Sequence, residues 1–131
     1  MATLNLNIGI QVTNGPQINV NRSREIEAFD KVDVTVAGQA TVTADLQPGA
    51  AAQIAVLLIK SSKYDKKITL TLKGGTDSPP LTLGEPQVFV NDGVTLFTVE
   101  RPATIEIKNE LAADPANKAD IEIFVARRAQ A

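Results

Sequence analysis

The stretch Ala50-Ala51-Ala52-Gln53-Ile54-Ala55-Val56-Leu57-Leu58-Ile59-Lys60 decides the fold, and it is the longest nearly unbroken apolar run in the chain. A strand with one wet face alternates apolar and polar residues. Here both alternate sets are apolar: Ile54, Val56 and Leu58 in one, Ala55, Leu57 and Ile59 in the other. Ala, Leu and Gln would permit a helix, but the β-branched Ile54, Val56 and Ile59 and the strand patterns on either side favour a strand. If Ile54, Val56 and Leu58 face the core of a two-layer domain, Ala55, Leu57 and Ile59 form a surplus apolar face. That face is a candidate subunit interface, covered either by another loop of this chain or by another copy.

Outward from this run, the chain reads as strands and turns. Leu4, Leu6, Ile8, Ile10 and Val12 alternate with Thr3, Asn5, Asn7, Gly9 and Gln11, a period of two. Asn14-Gly15-Pro16 marks a turn before a short strand at Ile18 and Val20. The charged stretch Arg22 to Glu27 leads to Val32, Val34 and Val36, with the apolar phase broken at Asp30-Lys31, where a bulge or short loop is expected. Val42, Ala44 and Leu46 precede Gln47-Pro48-Gly49, which fits a type II turn. Beyond the central run come a polar connection from Ser61 to Lys67 and further strands at Ile68–Leu72, Leu81–Leu83, Ile105–Ile107 and Ile121–Val125. Asn91-Asp92-Gly93, between Gln87–Val90 and Val94–Val99, is a hairpin signal. These patterns predict one all-β domain over 1–131: an antiparallel β-sandwich, jelly-roll-like or immunoglobulin-like, of about nine or ten strands. A short flexible tail is expected at 127–131.

A chain of 131 residues suits a single domain that buries roughly two-thirds of its unfolded surface. It has no Cys, His or Trp, which removes disulfides, thiol nucleophiles, imidazole bases and zinc-thiolate sites. The 13 Lys and Arg against 15 Asp and Glu leave a net charge of −2, with no overall pull toward nucleic acid or an acidic membrane. The start Met-Ala-Thr-Leu-Asn-Leu-Asn lacks the basic and apolar blocks of a signal peptide. The run at 50–60 is about half the length that spans a bilayer. A soluble protein without export by the Sec route is expected, with no cofactor and no nucleic-acid or membrane partner.

The carboxylates read as solvated strand residues (Asp33, Asp45, Glu106, Glu122) or turn formers (Asp77, Asp92, Asp114) rather than the converging pair of a hydrolase. Calcium is the one metal whose ligand chemistry is present. Its candidates are Asp77, Asp92, Asp114 and Asp120, which lack the Asp-x-Asp-x-Asp spacing of a calcium loop. Lys60, Lys63, Lys66 and Lys67 make the densest basic cluster, around Tyr64 and Asp65, and read as a solvated hairpin tip. Asn5, Asn7 and Gln11 mark a polar side of the first strand, facing solvent or a wet interface, on an element able to pair within the chain or with a neighbouring one.

The alternating start Met-Ala-Thr-Leu-Asn-Leu-Asn-Ile, the segment Leu46-Gln47-Pro48-Gly49-Ala50-Ala51-Ala52-Gln53 and the segment Leu57-Leu58-Ile59-Lys60-Ser61-Ser62-Lys63-Tyr64 resemble the capsid cement (decoration) proteins of tailed bacteriophages. So do the threonine-rich strand Ile68–Leu72, Pro86-Gln87-Val88-Phe89-Val90 and the closing strand Ile121–Val125. The resemblance spans most of the chain as strand and turn patterns, and no family site motif falls on a numbered position. It implies a non-enzymatic virion structural protein on the outer capsid surface, assembled in the host cytoplasm. It further implies a homo-oligomer, a trimer being favoured, that binds the major capsid protein and strengthens the shell against DNA pressure. The alternatives are a tail or head-fibre module that contacts host surface or glycan through Tyr64, Phe89 or Phe97, and, more remotely, a small acid–base hydrolase.

Overall fold

The computed structural model describes residues 2–45, 54–73, 80–90 and 104–127. Among these, ten strands follow one another: β1 (Ala2–Gln11), β2 (Gln17–Ile26), β3 (Ala28–Val36), β4 (Thr41–Asp45), β5 (Ile54–Ser61), β6 (Asp65–Lys73), β7 (Leu81–Leu83), β8 (Gln87–Val90), β9 (Thr104–Asn109) and β10 (Ala119–Arg127). A 3-10 turn, Pro115–Asn117, precedes β10. Asp114 caps it by accepting a hydrogen bond from the Ala116 amide at 2.8 Å, while Pro115 opens it with its φ preset.

β3 to β10 form two four-stranded sheets. The front sheet has the order β3-β10-β5-β8 and the back sheet β4-β9-β6-β7. The antiparallel pairs nest: β3 with β10, β4 with β9, β5 with β8, β6 with β7. First pairs with last and each inner strand with its inner counterpart, which is the rolled-up arrangement of a jelly roll. Of the two sandwiches the sequence allowed, strand order selects this one. The core lies between the sheets. Val36, Ile54, Leu57, Ile59, Ile121, Ile123 and Val125 from the front sheet meet Ala44, Ile68, Leu70, Leu72, Leu83, Ile105 and Ile107 from the back. The outward face of the back sheet is threonine-rich and charged, with Lys73 and Glu106 paired at 3.0 Å.

At one end of the roll the β3–β4 and β9–β10 connections lock together. Asn109, 1% exposed, donates from Nδ2 to the carbonyls of Val36 (3.2 Å) and Asn117 (2.8 Å) and accepts from the Leu111 amide at 3.0 Å. Gln39, with φ of 68°, donates from Nε2 to the Glu110 and Leu111 carbonyls and from its backbone to the Asn109 carbonyl. These bonds hold a left-handed backbone that a non-glycine residue otherwise avoids.

β1 and β2 stand apart as a long two-stranded hairpin, paired residue for residue from Ala2↔Ile26 to Gln11↔Gln17. The Asn14-Gly15-Pro16 turn closes it, with Asn14 left-handed at φ 60° and the Gly15 amide bonded to the Val12 carbonyl. β2 is thus far longer than the short strand expected. β3 runs unbroken through Asp30-Lys31, so the expected bulge is absent there. Asp30 takes an inward position opposite Val125 within an alternation that continues through Val32, Val34 and Val36. Arg127, expected in a frayed tail, lies buried inside β10 with its carbonyl bonded to the Glu27 amide at 2.8 Å, and burial lowers its guanidinium pKa. The Asn91-Asp92-Gly93 hairpin, the Gln47-Pro48-Gly49 turn and residues 128–131 lie outside the described residues.

Candidate functional site

The two apolar faces of β5 are covered differently, and the assignment of those faces is corrected. Leu57 and Ile59 point into the jelly-roll core, and Val56 and Leu58 point outward. A register shift opposite Ala126 and Arg127 pairs Arg127 with Ile54 and leaves Ala55 as an extra residue. This bulge turns Ile54 back into the core and places Ala55 beside Val56 on the outward side. Leu57 and Ile59 are therefore enclosed by this chain's own sheets and Ala55 is buried beneath the hairpin, so the three do not make up one exposed apolar face.

The outward face of the front sheet is built in rows. One row is Phe29–Ala126–Val56–Val90 and the next is Lys31–Phe124–Leu58–Val88. The Phe29 and Phe124 rings lie tilted with centroids 6.3 Å apart. The third row, Asp33–Glu122–Lys60, is charged, with Glu122 between Lys31 at 3.4 Å and Lys60 at 4.0 Å. Half of this face is thus apolar and half saline, a division that no single strand reveals.

The hairpin lies over the apolar half. Cross-strand partners share a face, so Leu4, Leu6, Ile8, Ile10, Ile18, Val20 and Ile26 line one side, together with Arg22 and Arg24. The other side is polar throughout: Thr3, Asn5, Asn7, Gln11, Gln17, Asn19, Asn21, Ser23 and Glu25, with the Ser23 hydroxyl donating to Asn5 at 2.9 Å. Asn5, Asn7 and Gln11 are exposed, and β1 pairs within the chain. At the hairpin base, Leu4 and Ile26 pack on Ala55, Val56, Ala126 and Phe124. Toward the tip it leaves a groove of about 300 Å³, lined mostly by Leu4, Leu6, Ile8, Val56, Leu58, Val88 and Phe124. Past the groove the apolar side is bare: Ile10 is 55% exposed, Val12 53%, Ile18 53% and Val20 42%. Phe29, Val88 and Val90 on the sheet are exposed as well.

The other candidates disperse. Lys60 sits on the front sheet, Lys66 and Lys67 on the back sheet, and Lys63 in the turn between them, 3.4 Å from the Ala116 carbonyl, so the basic cluster is split. Asp114 caps the 3-10 turn and Asp120 accepts from the Thr35 hydroxyl at 2.8 Å. Asp77 and Asp92 lie outside the described residues. Among the described residues no group of three His, Cys, Asp or Glu side chains comes together to hold a metal ion, and no helix is long and apolar enough to cross a membrane. Tyr64 and Phe89 pack against the core, Tyr64 with its hydroxyl accepting from the Ser61 amide at 3.1 Å; Phe97 lies outside the described residues. Among the described residues the exposed aromatic ring is that of Phe29, on the outward face of β3.

Fold and surface together define a jelly roll that carries an amphipathic β-arm over one half-apolar sheet. No known protein family matches the chain, and no curated protein matches it.

Proposed function

We propose that this chain is a non-enzymatic virion structural protein. In this reading it binds the outer surface of a bacteriophage capsid as an oligomer, a trimer being favoured, contacts the major capsid protein and stabilises the shell against DNA pressure. It acts at the virion surface after assembly in the host cytoplasm. One observation carries the reading: the arm tip and the adjoining sheet rows leave Ile10, Val12, Ile18, Val20, Phe29, Val88 and Val90 exposed. They lie on the bare face of the arm tip and on both edge strands of the sheet beneath it, large apolar side chains left in water of the kind that marks interaction surfaces. Such a surface is made for covering by protein, and a rigid all-β body behind it suits a clamp. The jelly roll is an architecture used by viral capsid domains, which supports the reading as a fold-level analogy. The strand and turn resemblance to capsid cement proteins points the same way.

The test is sedimentation of purified protein with capsid shells that lack it. Saturable binding, with shells that then withstand heat and chelator better, is the expected result. Shells that pellet without the protein, or protein recovered only with tail fractions of intact particles, would sink the reading.

A further inference from the structure

We propose that the free edge of β1 accepts an extended strand of a partner protein, whose alternate apolar side chains fill the groove over Leu58, Val88 and Phe124. This contact does not rest on the capsid setting proposed above, and its test uses no capsid.

The backbone dictates which groups the edge offers. The Val12 amide donates to the Pro16 carbonyl at 3.1 Å, which makes Val12 and Pro16 a hydrogen-bonded pair. The register runs from there to Ala2↔Ile26 without a shift, so bonded and non-bonded pairs alternate along it. Leu4, Leu6, Ile8 and Ile10 therefore bond to β2, whereas Thr3, Asn5, Asn7, Gly9 and Gln11 turn their amides and carbonyls away from it. Those five are exposed, and among the described residues β1 pairs with β2 alone. A row of donors and acceptors that repeats every two residues, about 6.8 Å apart, is the complement of another extended backbone.

This edge lacks the guards that the other edges carry. β3 has Asp30, Lys31 and Asp33, and β2 has Arg22, Arg24 and Glu25. β4, β7 and β8 are only five, three and four residues long. β1 runs for ten residues with no charged side chain, no proline and no bulge.

The groove lies along the same edge. Five consecutive β1 residues, Leu4 to Ile8, line it, and no β2 residue does. Its floor is Val56, Leu58, Val88 and Phe124, with Val88 44% exposed, and no charged side chain lines it. Its volume of about 300 Å³ is twice the roughly 150 Å³ cavity that holds a benzene ring, which is room for two aliphatic side chains of an added strand. A strand laid antiparallel along β1 bonds through the residues opposite Asn5 and Asn7, on the polar side, and turns the residues between them onto the floor. The partner segment is thus apolar at every second position and uncharged there, since a charge turned onto Leu58 and Phe124 would lose its water and find no partner.

The probe is a fluorescein-labelled peptide, Lys-Thr-Val-Thr-Val-Thr-Val-Thr-Lys, titrated with the full chain and followed by fluorescence anisotropy. Saturable binding is expected. N-methylation of its threonines removes the amides that face β1 and should weaken binding about tenfold or more, whereas N-methylation of its valines, whose amides face away, should weaken it far less. Leu58→Asp, in the floor, should abolish binding, and Thr82→Asp, exposed on the back sheet, should keep it. No saturable binding, a threonine-methylated peptide that binds as tightly as the unmodified one, or undiminished binding by Leu58→Asp overturns the proposal. An edge already held by a second copy shows as a wild-type chain that takes up no peptide, and this outcome overturns it as well.

Discussion

Ile10 and Ile18 stand directly opposite one another across the hairpin, at 55% and 53% exposure, with no core beneath them. Their neighbours one step toward the base, Ile8 and Val20, repeat the pairing. Folding therefore leaves this apolar ladder in water, and its stability contribution waits on a second surface. Replacing both Ile10 and Ile18 with Thr should leave the domain's unfolding free energy within about 0.5 kcal/mol of wild type, because exposed residues away from caps and cores change stability little. Thr also keeps the β-branching that the arm strands favour. Urea unfolding followed by far-UV circular dichroism, at a concentration low enough to keep chains apart, checks this.

Leu57 and Leu58 are adjacent in sequence and opposite in fate. Leu57 lies in the core opposite Val125 and Phe89, whereas Leu58 lies outward opposite Phe124 and Val88. Leu57→Ala should cost about 2–5 kcal/mol, the range for emptying a buried leucine site. Leu57→Asp should unfold the domain, since a carboxylate would enter a dry core with no partner. Leu58→Asp should fold, because its side chain already meets solvent at the groove. Thermal melts of the three variants separate these outcomes, and a folded Leu57→Asp chain would contradict the assignment of faces.

Strands and turns were legible because alternation and turn chemistry are local. Thr3 to Gln11, Ile68 to Leu72 and Ile121 to Val125 all appear where period two placed them, and Asn14-Gly15-Pro16 closes a hairpin. Strand order was not legible, because the nesting of β3 with β10 and β5 with β8 depends on partners far apart in the chain. Nor was the destination of the first strand. Leu4, Leu6, Ile8 and Ile10 alternate as a core strand would, and nothing local says whether their apolar side is covered. The faces of β5 were inverted by one extra residue, Ala55, because a bulge reverses the alternation on one side of itself. The question that run posed does have an answer: this chain's own hairpin covers its outward face, at the base only.

Asn109 holds two connections with one amide. Asn109→Ala would orphan the Leu111 amide and the Val36 and Asn117 carbonyls, at a cost of about 2–4 kcal/mol. Asn109→Asp should behave differently with pH. A carboxylate facing two carbonyls is disfavoured, so its folded pKa rises above the unfolded value. The variant should be closest to wild type below the ordinary Asp pKa and lose stability as pH rises through the raised value. Melting temperatures across an acid-to-neutral series check the sign.

Two glycines should respond oppositely to the same added methyl. A Cβ on Gly38 would lie 2.1 Å from the Ala112 carbonyl oxygen, so Gly38→Ala must push the β9–β10 connection away and should cost about 1–3 kcal/mol. A Cβ on Gly84 meets nothing within 4 Å, and Gly84→Ala should be neutral or stabilising by up to about 1 kcal/mol. Denaturant midpoints of the two variants decide.

The central claim is that the exposed arm tip is a protein-binding surface rather than an incidental one. Light scattering of the wild type and of an Ile10→Asp/Ile18→Asp variant, at equal concentrations of tens of micromolar, tests it most directly. The account predicts a wild type whose mass is a multiple of 13.9 kDa and a folded variant at 13.9 kDa. A wild type and a variant that scatter alike, both folded, would contradict it.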